Sequence, residues 1–182
     1  MAEITYFETA GPENTGRTLE IAKARYLQGG IDAVVIASSY GETALKAAEL
    51  FIDCGVSLLI VGEMLNGKQS PEASVQEELR ALGHRIIWGT TLGSMSTFTR
   101  EPAAGLVADA YRRVSEGFKV VCEITLIAGS QGCLETGQKV IAIAGTHRGS
   151  DTAVVASAAS FTDFKKLEVN EILCKPYQRA KE

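Results

Sequence analysis

The sequence predicts an α/β fold of three layers, with helices covering both faces of a mostly parallel sheet and antiparallel pairing near the C-terminus. Three observations carry this. Short β-rich runs alternate with longer amphipathic stretches through most of the 182 residues, the signature of βαβ units. The runs Ala33–Ala37 and Val140–Ala144 are continuously apolar, as strands buried on both faces are. Hydrophobic residues make up 46% of the chain and charged residues 22%, enough to build a core within one domain spanning residues 1–182.

Ile4 to Phe7 reads as a first strand. Gly11-Pro12-Glu13-Asn14-Thr15 is a turn into a helix, with Asn14 or Thr15 as its N-cap. Leu19, Ala22, Ala24, Tyr26 and Leu27 recur at mainly helical spacing, and Gly29-Gly30 stops the run. After the strand Ala33–Ala37, Ser38-Ser39-Tyr40-Gly41 is a tight turn, and Glu42–Asp53 forms a second helix that Gly55 ends. Ser57–Val61 is a third strand, and Gly62–Pro71 a polar connection. Pro71 suits the first turn of a helix running to about Leu82, and Ile86–Trp88 is a short strand. Gly89–Arg100, rich in Gly, Ser and Thr, is long enough for a lid or ligand-lining segment. A helix over Pro102–Glu116 follows. Val120–Ile127 fits either a strand or the buried start of a helix. The strands Val140–Ala144 and Ala153–Ala158 flank the polar loop Gly145–Thr152, and Val169–Cys174 reads as a last strand.

Composition also bounds function. Lys and Arg total 18 against 22 Asp and Glu, a net charge of −4, and no basic run is present, which argues against nucleic acid or an anionic membrane as partner. Apolar runs stay well short of the roughly 18 residues that a membrane helix needs, and the N-terminus carries no signal-peptide pattern. Cys54, Cys122, Cys133 and Cys174 form no C-x-x-C pair, so neither a zinc site nor a disulfide framework is expected. The expectation is a cytoplasmic protein without a metal, whose apolar composition permits a homo-oligomer.

In parallel sheets ligands sit at the carboxyl ends of strands, where strand order reverses, and two loops there carry phosphate-compatible chemistry. Ser38, Ser39, Tyr40, Gly41, Glu42 and Thr43 lie where a buried strand opens into a helix. Free backbone N–H groups, the positive helix end and three hydroxyls suit a phosphate, and Gly41 lets an anion approach the backbone. The spacing is not that of an ATPase P-loop. Serines that merely cap the helix account for the pattern equally well. Gly145, Thr146, His147, Arg148, Gly149, Ser150, Asp151 and Thr152 form the second loop. Arg148 can pair with a phosphate in a bidentate manner and His147 can donate or act as acid or base, although a solvated hairpin turn uses the same residue types.

Glu123 stands in an apolar run and is either partnered or functional, or else simply faces solvent at a junction. His84 reads as structural at a helix end, and Lys165-Lys166 as a solvated face. No catalytic constellation stands out.

Ala37-Ser38-Ser39-Tyr40-Gly41-Glu42-Thr43-Ala44 resembles the strand–loop–helix of the pyruvate kinase C-terminal α/β domain, which holds a phosphate of the allosteric sugar bisphosphate. Gly137-Gln138-Lys139-Val140-Ile141-Ala142-Ile143-Ala144-Gly145 is similar to a strand of that domain, followed by the Gly-rich Arg148-Gly149-Ser150 and a closing strand at Ala153-Val154-Val155. The likeness runs from about Thr15 to Ala158 and implies a helix over roughly Ile124–Gln131. The catalytic barrel of pyruvate kinase is missing, so that activity is not implied. The chain looks more like the small stand-alone pyruvate kinase α/β domain-like proteins, through Gly11-Pro12-Glu13-Asn14-Thr15, Ala37–Gly41, Glu123-Ile124-Thr125 and Gly149–Ala153. Members of that group have been seen with flavin mononucleotide (FMN), so the resemblance implies a phosphate-bearing ligand, with FMN as cofactor. It brings Glu13, Asn14, Thr15, Glu123 and Thr125 into the expected site beside the two loops, with Tyr40, Phe7 and Trp88 as candidates to line a slot for the ring. A binding module is the first expectation. A flavin-dependent or sugar-phosphate enzyme using Glu123, His147 and Arg148 is the second, and a metabolite sensor the third.

Overall fold

The computed structural model describes residues 3–65, 68–89 and 102–178. Its centre is an eight-stranded sheet built from β1 (Thr5–Phe7), β2 (Ala33–Ala37), β3 (Leu58–Leu65), β4 (Lys68–Ser70), β5 (Arg85–Trp88), β6 (Lys139–Ala144), β7 (Thr152–Ser157) and β8 (Glu168–Pro176). Spatial order is β1-β8-β7-β6-β2-β3-β4, with β5 also on β3. Strands β6, β2, β3 and β5 run parallel to one another, β1 runs parallel to β8, and β4 is antiparallel to β3. Strand β7 is antiparallel to both β6 and β8. The fold is the three-layer α/β/α arrangement that the sequence predicts.

Period-two alternation divides the sheet's apolar residues between two cores. Val34, Ile36, Leu58, Ile60, Ile141, Ile143 and Val155 face one side, packed on α1 (Thr15–Leu27), α2 (Glu42–Leu50) and α3 (Ala73–Ala81). Val35, Leu59, Val61, Val140, Ala142 and Val154 face the other, packed on α5 (Glu116–Ser130), with Tyr111 of α4 (Pro102–Arg112) against the same cluster. Strands wholly apolar in sequence are therefore the ones sandwiched between helices. Across the edge of the first layer, Arg25 of α1 grips Glu171 of β8 through bonds of 2.8, 2.9 and 3.1 Å.

Several boundaries differ from those expected. Strand β3 runs on to Leu65 and turns back as β4, pairing Glu63 with Ser70, where a polar connection is expected. An edge hairpin is held by backbone bonds and needs no apolar pattern, so its residues look like loop. Helix α3 starts at Ala73 rather than Pro71, and α2 stops at Leu50 before a short 3-10 turn over Ile52–Cys54. The helix expected over Pro102–Glu116 ends at Arg112 and a new one begins. Ser115 is extended, and its Oγ accepts the Phe118 N–H at 2.9 Å, an N-cap that starts α5 afresh. The ambiguous Val120–Ile127 lies in the middle of α5, buried on nearly every side. Asn14 occupies the N-cap position of α1 without capping it, its Nδ2 donating instead to the Thr9 and Gly11 carbonyls. Residues 90–100 of the expected lid segment lie outside the described residues.

Arg25's hydrogen bonds hold the Glu171 carboxyl below the ordinary Glu value. A depressed carboxylate adds stability above that ordinary value and loses it as pH falls through the folded one. The stability difference between the natural protein and Glu171→Gln should accordingly shrink by about 0.5–1 kcal/mol between pH 6 and about pH 3. Urea midpoints measured across that range check this, and a constant difference would contradict it.

Candidate functional site

A cavity of about 590 Å³ opens at the carboxyl ends of β2, β3 and β6. Strand β2 sits between β3 and β6. The chain leaves β2 through α2 toward β3 and returns to β6 through α5 on the opposite face, so this is where strand order reverses. Such a point leaves a crevice that neither layer of helices covers.

The first wall is the loop after β2, with Ser38, Ser39, Tyr40, Glu42 and Thr43 lining the cavity. Helix α2 begins at Glu42 behind Gly41, whose backbone is left-handed with φ of 92°. A side chain at Gly41 would strike Val75 and Pro71, so glycine is required for the turn. Ser38 Oγ accepts from the Ala44 N–H at 3.3 Å, and Ser39 Oγ donates to Glu63 at 3.0 Å. Ser38 thus caps the helix, as one of the two sequence readings has it. It also lines the cavity, so the two readings are compatible.

The second wall comes from Gly145, His147, Arg148 and Gly149. The Arg148 guanidinium lies over the Tyr40 ring, 4.6 Å from its centroid, a cation–π contact linking the two loops. Among the described residues Arg148 has no ion pair.

The third wall, α5, was not foreseen as a whole. Glu116, Lys119, Val120, Glu123, Ile124 and Ile127 all face the cavity, at spacings that place them on one helical stripe. Glu123 is 2% exposed, and its Oε2 lies 2.9 Å from Lys119 Nζ. It is therefore partnered and also cavity-lining. Glu116 lies 3.7 Å from Lys119 and 2.8 Å from Arg112, so charge alternates along the helix from the surface inward. Ala37, Val61, Gly62, Glu63 and Gly89 complete the lining. The stripe is regular enough to read from sequence once the segment is known to be helical, and the apolar run hides that.

The other expected site residues stand behind the walls. Asp151 is fully buried. Its Oδ2 accepts the Gly11 and Thr146 N–H groups, both at 3.2 Å, and its Oδ1 the Thr152 hydroxyl at 2.8 Å. Burial pushes the Asp151 carboxyl above the ordinary Asp value, and these hydrogen bonds oppose the shift. Thr15 Oγ1 donates to the Pro12 carbonyl at 2.6 Å and accepts the Ser150 N–H at 3.0 Å. Gly149 lies so close to Thr15 and Pro12 that a Cβ would collide with both. Glu13 accepts from Thr9, and Asn14 holds its own loop. Thr125 Oγ1 donates to the Val121 carbonyl inside α5. Glu13, Asn14, Thr15, Thr125 and Asp151 do not line the cavity, nor do Gly41, Thr146, Ser150 and Thr152. Of the three expected ring-slot residues, Tyr40 lines it, Phe7 is packed in the α1-side core, and the Trp88 indole donates to the Ser70 carbonyl at 2.9 Å.

Among the described residues no three His, Cys, Asp or Glu side chains gather as metal ligands would, and no helix is long and apolar enough to cross a membrane. No protein-family model matches the sequence.

Replacing Asp151 by Ala would leave two buried N–H groups without an acceptor. The cost should be about 2–4 kcal/mol at neutral pH, read from chemical denaturation. A loss below about 1 kcal/mol would mean that the loops do not depend on this carboxylate.

Proposed function

We propose that the protein binds a phosphate-bearing small molecule, FMN foremost, as a stand-alone pyruvate kinase α/β domain-like protein without a catalytic barrel. One observation carries the reading. The start of α2 and Arg148 meet on the same cavity at the point of strand reversal, though they come from loops far apart in sequence.

The first turn of α2 presents backbone N–H groups without helical acceptors and the positive end of the helix dipole. Thr43 adds a hydroxyl on the same rim. Arg148 offers fixed charge and a donor fork matched to phosphate oxygens. Lys119 is committed to Glu123 and Glu116, so Arg148 is the cation left for a ligand among the described lining residues. Glu42 and Glu63 border the same rim and repel an anion that strays from Arg148, which narrows where the phosphate sits. Val61, Val120, Ile124 and Ile127 supply the apolar surface that a ring system needs. The cavity volume falls within the several hundred cubic ångströms usual for small-ligand sites.

Calorimetric titration tests the reading. FMN should bind the natural protein at one site, and Arg148→Gln should weaken it by about 10- to 100-fold, the usual worth of a charged hydrogen bond. Riboflavin, which lacks the phosphate, should bind correspondingly less tightly. Equal affinity for riboflavin and FMN, or no loss in Arg148→Gln, would contradict phosphate anchoring.

A further inference from the structure

Among the described residues, His147 is the one non-glycine residue with a positive φ, at 60°. It is the middle of a three-residue turn closed by the Arg148 N–H, which donates to the Thr146 carbonyl at 2.8 Å. Turns of this size with positive φ at the centre are rare and strained. Such strain persists only where the surroundings over-determine the backbone, and here both flanks are fastened. On one side the Thr146 N–H is bound to Asp151, whose own N–H donates to the Ala144 carbonyl at 3.0 Å. On the other, the Ser150 N–H is bound to Thr15 and the Ser150 carbonyl accepts from Thr18 Oγ1 at 3.2 Å.

What the strained turn delivers is Arg148, the next residue, with its guanidinium laid on the Tyr40 ring. Among the described residues no hydrogen bond engages the Arg148 guanidinium, so its N–H donors are available beside that contact. Arg148 gains no ion pair among the described residues from being held there, so folding alone gives no evident reason for the strain.

We propose that His147 is a positioning residue. Its left-handed backbone, clamped through Asp151 and Thr15, sets Arg148 on Tyr40 with its donors turned to the cavity, ready for a terminal phosphate group. The proposal rests on the reading of the cavity as a phosphate-ligand site and assigns the imidazole no contact with the ligand.

The test compares His147→Val, whose β-branched side chain resists a positive φ, with His147→Gly, which adopts it without steric cost. The first readout needs no ligand: the Arg148 Nε–Hε resonance, which the Tyr40 ring should shift upfield. It should move toward the free-arginine position in His147→Val and stay upfield in His147→Gly. The second readout is FMN affinity, which should fall about tenfold in His147→Val and stay within about threefold of the natural protein in His147→Gly. The melting temperature of His147→Gly should hold or rise by a few degrees, and binding by His147→Val is read well below its own midpoint, so that weaker binding is not unfolding. Retention of the upfield resonance in His147→Val would overturn the proposal. So would a His147→Gly variant that keeps the resonance but binds as weakly as His147→Val, since the imidazole would then touch the ligand itself. A natural protein that binds no FMN would overturn the reading of the cavity, and the Arg148 resonance would still decide the positioning role.

Discussion

The pairing of β2 with β6 at the centre of the sheet is the constraint from which both the fold and the site follow. The two strands run parallel in the register Ala33–Val140 to Ile36–Ile143. Val34, Val35, Ile36, Ile141, Ala142 and Ile143 are all fully buried. Strands covered on both faces must send their connections out at the ends, and parallel strands send both out at the same end. The loop after β2 and the loop after β6 are therefore neighbours, whatever their separation in sequence. The loop after β2 turns into α2 on one face while the loop after β6 turns back into β7, and α5 walls the space between them from the other face.

The second loop is fixed from behind by a polar clasp. Asp151 gathers N–H groups from Gly11 and Thr146, and Thr15 joins the Pro12 carbonyl to the Ser150 N–H. The segment before α1 and the segment before β7 thereby form one hydrogen-bonded unit, buried enough that loss of a member leaves donors unsatisfied. That unit is what allows a strained turn at His147 to persist in front of it. Stability and site geometry are thus linked in this corner, and residues that never reach the cavity still set its shape.

Much of the fold was legible in the sequence because a doubly covered strand has a plain signature, seen in Val34-Val35-Ile36 and in Val140–Ala144. The two loops were legible for a related reason: Ser, Gly, Thr and Arg at the ends of such runs have few places to go. The β3–β4 hairpin was hidden because its pairing is carried by backbone alone. The break between α4 and α5 was hidden because Ser115 works as a cap only in the extended conformation it adopts. The α5 wall was obscured by burial on all sides of that helix, which erases the amphipathic pattern. Sequence reading placed Thr15, Asp151 and Thr152 with the ligand-facing residues, since a hydroxyl or carboxylate that braces a loop looks the same as one that faces a cavity. The Arg148–Tyr40 contact had no local signal, for it depends on the β2–β6 pairing.

The most direct test of the central claim is to purify the protein under native conditions, weigh it intact by native mass spectrometry, then denature it and identify what is released. The account predicts a phosphate-bearing molecule leaving the protein, or, from protein purified empty, a one-to-one adduct on incubation with FMN that riboflavin does not form to the same extent. A protein that carries nothing and forms no such adduct would contradict it.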